Sequence, residues 1–122
     1  MPEVVIYHNP RCSKSREALR LLQEAGVTPR VVDYQKTPLD EAEISRLIDL
    51  LGLPPRELMR SNEAEYRDLY LDDITLDRHH LVAALVEYPR LLQRPIVVVG
   101  NHALIARPPE KVCELLAHLQ SG

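Results

Sequence analysis

The sequence has 122 residues, a formal net charge of −3 and 27% charged residues, with no Trp, no Phe and 10 Pro. That length suits one domain with a core of its own, and the acidic balance argues against a general nucleic-acid binder. Two cysteines 101 positions apart, Cys12 and Cys113, make no disulfide framework, and the apolar runs are too short to span a bilayer. With no signal peptide visible, a reducing cytoplasm is the expected setting, with neither nucleic acid nor membrane as a partner.

Val4-Val5-Ile6-Tyr7 is a β-branched and aromatic run of strand length. Asn9-Pro10 stops it as a turn signal, and a helical pattern begins within a few residues of Cys12. Ala18, Leu19, Leu22 and Ala25 mark one face of that helix, and Gly26 is a natural stop. A thiol at a helix N-terminus faces unpaired N–H groups and the positive end of the dipole, which favours thiolate. The same N–H groups can cradle an oxyanion. His8, Arg11, Lys14 and Arg16 add positive or protonatable groups nearby. Many free cysteines are inert packing groups, but the polarity of Pro-Arg-Cys-Ser-Lys-Ser speaks against a core position. Ser15 stands where a Cys-x-x-Cys pair would have its second cysteine, so the site is monothiol.

Arg30-Val31-Val32-Asp33-Tyr34 reads as a second strand, completing a βαβ unit with parallel strands. The nucleophile then falls at the carboxyl end of the first strand, where open α/β sheets place ligands. From Thr37 to Tyr88 the text is helical. Asp40 caps a helix carrying Ile44, Leu47, Ile48 and Leu51, closed by Gly52. Short helical pieces follow at Arg56–Arg60 and Asn62–Tyr70, and Thr75 is the expected cap of a helix holding Leu81, Val82 and Leu85. Arg94-Pro95-Ile96-Val97-Val98-Val99 returns to strand character, Gly100-Asn101 is a two-residue hairpin turn, and Ala103-Leu104-Ile105 answers it. Arg107-Pro108-Pro109 leads into a last helix with Val112, Leu115, Leu116 and Leu119 on one stripe. The order βαβ, helices, ββα is an α/β, thioredoxin-like mixed sheet. It predicts a single domain over 1–122 with an all-helical insertion at about 38–90.

Three arginines stand out by context: Arg60 at the end of a short helical piece, Arg94 before the third strand, and Arg107 before the last helix. Guanidinium forks bind tetrahedral oxyanions bidentately, so converging arginines would form such a site. Taken singly, each reads as a solvated surface residue, and the sequence does not show convergence. His8 is a candidate to stabilise the Cys12 thiolate or take its proton, or else a structural hydrogen-bonding residue. Pro95 is a candidate cis-proline, although X-Pro bonds favour trans. His79-His80 lacks ligand spacing, so no metal is expected; Asp72-Asp73 reads as a solvated loop. Cys113 reads as a packing residue beside the last apolar stripe. There is no Gly-rich nucleotide loop, and a cysteine phosphatase would carry an arginine where this chain has Ala18.

On these residues the chain resembles the glutaredoxin-coupled arsenate reductase family, a thioredoxin-fold group, and is most similar to its short bacterial members. The likeness runs through Tyr7-His8-Asn9-Pro10-Arg11-Cys12-Ser13-Lys14-Ser15-Arg16, then Arg60, Arg94-Pro95-Ile96-Val97-Val98 and Arg107-Pro108. The resemblance implies that Cys12 is the catalytic nucleophile, with His8 and Ser15 favouring its thiolate. It also implies that Arg60, Arg94 and Arg107 hold the oxyanion and that Pro95 is the cis-proline of the fold. The chain departs from that pattern by ending soon after the last helix and by its Gly100-Asn101-His102-Ala103 hairpin, which lies near Arg94 and Arg107.

The leading expectation is therefore thiol-dependent reduction of arsenate to arsenite through Cys12. Arsenic(V) takes two electrons, the yield of two thiols becoming one disulfide, and Cys12 supplies one thiol. The resemblance implies glutathione as co-substrate for the second and glutaredoxin as the partner that clears the mixed disulfide, with no bound cofactor. A monothiol glutathione-linked disulfide oxidoreductase is the alternative that keeps the fold and drops arsenate. A redox-sensing regulator contacting RNA polymerase is the third reading, against which Ser15 counts.

Overall fold

The computed structural model describes residues 3–120. The chain divides into two compact units, one built from its two ends, up to Thr37 and from Arg94 on, and the other from Pro38–Gln93.

The first unit is a four-stranded mixed sheet in the order β2-β1-β3-β4, with β1 at Val4–His8, β2 at Arg30–Asp33, β3 at Ile96–Val99 and β4 at His102–Ile105. β1 is buried along its whole length and pairs parallel with β2 and antiparallel with β3. Its solid run of β-branched residues suits a central strand with neither face in water. Two helices, α1 at Ser13–Glu24 and α5 at Val112–Gln120, complete this unit. Val4 and Ile6 from β1, Val97 and Val99 from β3, Ala18 and Leu22 from α1, and Val112 and Leu115 from α5 form one core cluster. The period of two in the strands meets the i, i+4 spacing of α1 there. The order and the mixed pairing are those of a thioredoxin-like α/β fold.

Gly100 and Asn101 form the two-residue turn between β3 and β4, with Gly100 at φ +60°. A left-handed first turn position is what a tight hairpin demands of glycine. β4 starts one residue earlier than the sequence suggests, at His102, which pairs with Val99. A short 3₁₀ turn at Pro109–Lys111 precedes α5. Cys113, expected to pack, is an exposed free thiol. It follows Val112 by one position, about 100° around the helix, and so leaves the stripe of buried Val112 and Leu115. Leu119 lies outside the described side chains.

In the second unit, α2 at Glu41–Leu51 packs on α4 at Arg78–Glu87. Asp40 caps α2 by accepting the Glu43 N–H at 2.8 Å, and Gly52 closes it in the left-handed region. α4 is capped by Asp77, not by Thr75 as the sequence suggested. The Thr75 hydroxyl is instead bound to the Asp73 carboxylate at 2.7 Å, and that carboxylate also accepts the Thr75 N–H. The piece around Arg56 is a 3₁₀ turn, Pro55–Leu58, and α3 is a single short helix at Ala64–Asp68. No helix among the described residues is long and apolar enough to cross a membrane.

Candidate functional site

The loop from β1 to α1 is tied by its own backbone. Cys12 N–H donates to the Asn9 carbonyl at 3.0 Å, closing a four-residue turn with Pro10 in its second position, where a fixed φ is favourable. The Asn9 side-chain oxygen accepts the Arg11 N–H at 3.0 Å, and the Arg16 guanidinium holds the Pro10 carbonyl at 2.9 Å. The sequence marked Asn9 only as a turn former. Its burial and its two internal bonds make it the organiser of the loop.

Cys12 is the N-cap of α1, with extended backbone and a half-buried side chain. Its sulfur stands where a capping side chain would, toward the Ser15 and Lys14 N–H groups of the first turn. Partial burial opposes ionisation most strongly. The Ser15 N–H, the Arg94 guanidinium and the Lys14 N–H together outweigh it and hold the thiol below its ordinary pKa. A helix N-terminus and an arginine are the two settings that turn a weak thiol nucleophile into a thiolate.

Ser15 is fully buried and its hydroxyl is committed. It meets His8 Nδ1 at 2.6 Å and accepts the Asn9 N–H at 3.1 Å. His8 stands opposite Asp33 in the β1–β2 register. Burial, opposed by Asp33 and reinforced by Arg16, lowers its pKa. A neutral imidazole gives the sulfur no positive charge. Through the shared hydroxyl His8 instead fixes Ser15, whose N–H faces Cys12.

Arg94 and Arg107 are brought together by the hairpin. Ile96 pairs with Ile105, and Ala106 N–H donates to the Pro95 carbonyl at 2.9 Å, so the next register step sets Arg94 opposite Arg107. Arg107 Nη1 donates to the Arg94 carbonyl at 3.3 Å. Both are half-buried, and each precedes a cis-proline: Arg94–Pro95 and Arg107–Pro108. The second cis bond was not foreseen from sequence. Arg60 belongs to the helical unit. Its N–H donates to Leu91 O at 2.7 Å beside the Met59–Leu92 bridge, and its guanidinium pairs with Glu63 at 2.9 Å. Among the described residues there is no His, Cys, Asp or Glu cluster that could hold a metal. His80 is paired with Asp77 at 2.9 Å.

Chemically, the sheet unit offers a lowered-pKa thiol beside a guanidinium and oriented N–H dipoles, suited to attack on a polar, anionic centre. The ArsC family model matches residues 7–115. The chain is 51% identical over 115 residues to the uncharacterized protein YfgD of Escherichia coli, covering 93% of this chain and 97% of that one. It is 45% identical over 113 residues to an arsenate reductase of Neisseria meningitidis, covering 92% and 97%. A solved arsenate reductase from Vibrio cholerae superposes with a TM-score of 0.90 at 47% identity, covering 93% of this chain and 97% of that one.

Proposed function

This chain belongs to the ArsC family, and on that premise we propose that it reduces arsenate to arsenite through the thiol of Cys12, using glutathione and glutaredoxin. The observation that carries the proposal is the Cys12 thiol at the start of α1, held below its ordinary pKa beside Arg94. The Cys12 thiolate attacks arsenic, an S–As bond forms, and one As–OH bond breaks, the hydroxide taking a proton from solvent and leaving as water. Arg94, with Arg107 opposite it, and the N–H groups of the first helical turn offset the negative charge on the oxygens. A glutathione thiolate then attacks Cys12 Sγ. The S–As electron pair stays with arsenic, giving arsenite and a disulfide between Cys12 and glutathione. Two thiols have lost two electrons and arsenic(V) has gained them. Glutaredoxin removes the glutathionyl group by thiol–disulfide exchange. His8 and Ser15 act as positioning residues, because the Ser15 hydroxyl ties the first turn of α1 to His8 and to the Asn9 N–H. Arg60 enters on the family resemblance alone.

The test is arsenate-dependent NADPH oxidation coupled through glutathione, glutaredoxin and glutathione reductase. Turnover is expected in the native chain, none in Cys12→Ser, and a raised KM for arsenate in Arg94→Ala and Arg60→Ala. Turnover retained by Cys12→Ser would overturn the mechanism. No arsenate turnover, with Cys12 still exchanging glutathione disulfide, would replace it with a monothiol glutathione-linked oxidoreductase.

A further inference from the structure

A cleft of about 480 Å³ opens where α1 packs on the 3₁₀ turn before α5, lined by Ser13, Lys14, Glu17, Pro108, Pro109 and Glu110. Its size falls within the roughly 300–1,000 Å³ of small-molecule sites. It adjoins the reactive thiol, since Ser13 and Lys14 directly follow Cys12 and the Lys14 N–H is one of the groups favouring its thiolate. Of its charged side chains, Glu17 is committed to Arg20. Lys14 and Glu110 are exposed and make no ion pair among the described residues. The cleft, whose lining begins at the residue after Cys12, thus holds an exposed cation and an exposed anion together with Ser13 and two prolines.

We propose that this cleft is the binding subsite of the reducing thiol peptide, with Lys14 receiving a carboxylate and Glu110 the ammonium of a γ-glutamyl group. This rests on the reading of glutathione as reductant and adds where it sits. Glutathione carries two carboxylates and one ammonium about its thiol, so its charges match an unpaired lysine and an unpaired glutamate. Arsenate carries no cation and gives Glu110 nothing to bind. The prolines limit the entropy lost on ordering the wall.

The experiment needs no arsenate. Cys12 thiolate attacks one sulfur of glutathione disulfide, a Cys12–glutathione bond forms, the S–S bond breaks, and one glutathione thiolate leaves. The rate is followed by intact-protein mass spectrometry with Cys113→Ser as background. It is divided by the rate with neutral 2-hydroxyethyl disulfide, which cancels any change in thiolate fraction. This ratio is expected to fall up to about fivefold in Lys14→Ala and up to about fivefold in Glu110→Gln, the upper end for an exposed ion pair. A diffuse field acting on a net-anionic disulfide predicts the opposite for Glu110→Gln, a faster reaction. An unchanged or raised ratio in Glu110→Gln, or an unchanged one in Lys14→Ala, would overturn the subsite. A fall of the ratio in both variants, in a chain that shows no turnover in the separate arsenate-dependent NADPH assay, would keep the subsite and remove arsenate as substrate.

Discussion

Ser15→Ala removes one oxygen that two buried groups share. His8 Nδ1 lies 2.6 Å from it and the Asn9 N–H 3.1 Å, and both residues are nearly inaccessible, at 7% and 5% exposure. A buried polar group left without a partner costs about 1–3 kcal/mol. The two losses meet at one atom and do not simply add, and alanine recovers roughly 0.5 kcal/mol of helix propensity. The net loss is about 2–4 kcal/mol, a large part of the roughly 5–15 kcal/mol that holds a domain together. For a chain of this size it lowers Tm by about 8–15 °C. Thermal unfolding followed by circular dichroism reads it directly. The control is Ser13→Ala: Ser13 is exposed at the first helical position, and the change there is expected within about 0.5 kcal/mol. A melt of Ser15→Ala within about 2 °C of that control would refute the two-partner role of the hydroxyl.

The Cys12 thiol lies below its ordinary pKa with Arg94 among the causes. Alkylation of Cys12 by iodoacetamide should therefore rise with pH through a midpoint below 9.0, and that midpoint should move upward in Arg94→Ala. By linkage, the folded chain holds fewer protons at Cys12 than the unfolded chain between the two pKa values. This contribution to stability is complete above the unfolded pKa and is lost as pH falls through the folded one. Equilibrium urea unfolding of the native chain and Cys12→Ser across that window checks the sign. His8 is likewise lowered, so unfolded His8 takes up a proton first as pH falls below about 6.5, and stability should decline from there down to the folded value. His8→Gln should flatten that decline in the same titration. Asp77→Ala is expected to cost about 1 kcal/mol as the loss of an N-cap. Thr75→Ala should cost less, since its hydroxyl serves an exposed loop.

Elements with a strong local signal were legible in the sequence: the β-branched run of β1, the Gly100-Asn101 turn, and Asp40 with Gly52 bracketing α2. Where two neighbouring groups compete for one role, local reading failed. Thr75 and Asp77 are both good caps, and the outcome was set by Asp73 capturing the Thr75 hydroxyl. Cys113 differs from its sequence expectation because a position next to an apolar stripe need not belong to it. One residue is about 100° on a helix.

The thiol itself was readable from its polar context at a helix start. The resemblance implies that Arg94 and Arg107 share one oxyanion, and the residue pattern itself carries a signal for their meeting. The two stand symmetrically about the hairpin turn, so its register sets them opposite each other. The role of Ser15 followed from tertiary burial, which no spacing rule gives. As a surface residue of the first helical turn it would have bound water rather than His8 and Asn9.

The central claim is that Cys12 and one glutathione share the two electrons passed to arsenic. The most direct measurement is a single turnover of the Cys113→Ser chain with arsenate and glutathione, without glutaredoxin, followed by intact-protein mass spectrometry and arsenite assay. The account predicts one arsenite formed per chain that gains a glutathionyl group on Cys12. Arsenite formed while Cys12 stays unmodified, or Cys12 glutathionylated without arsenite, would contradict it.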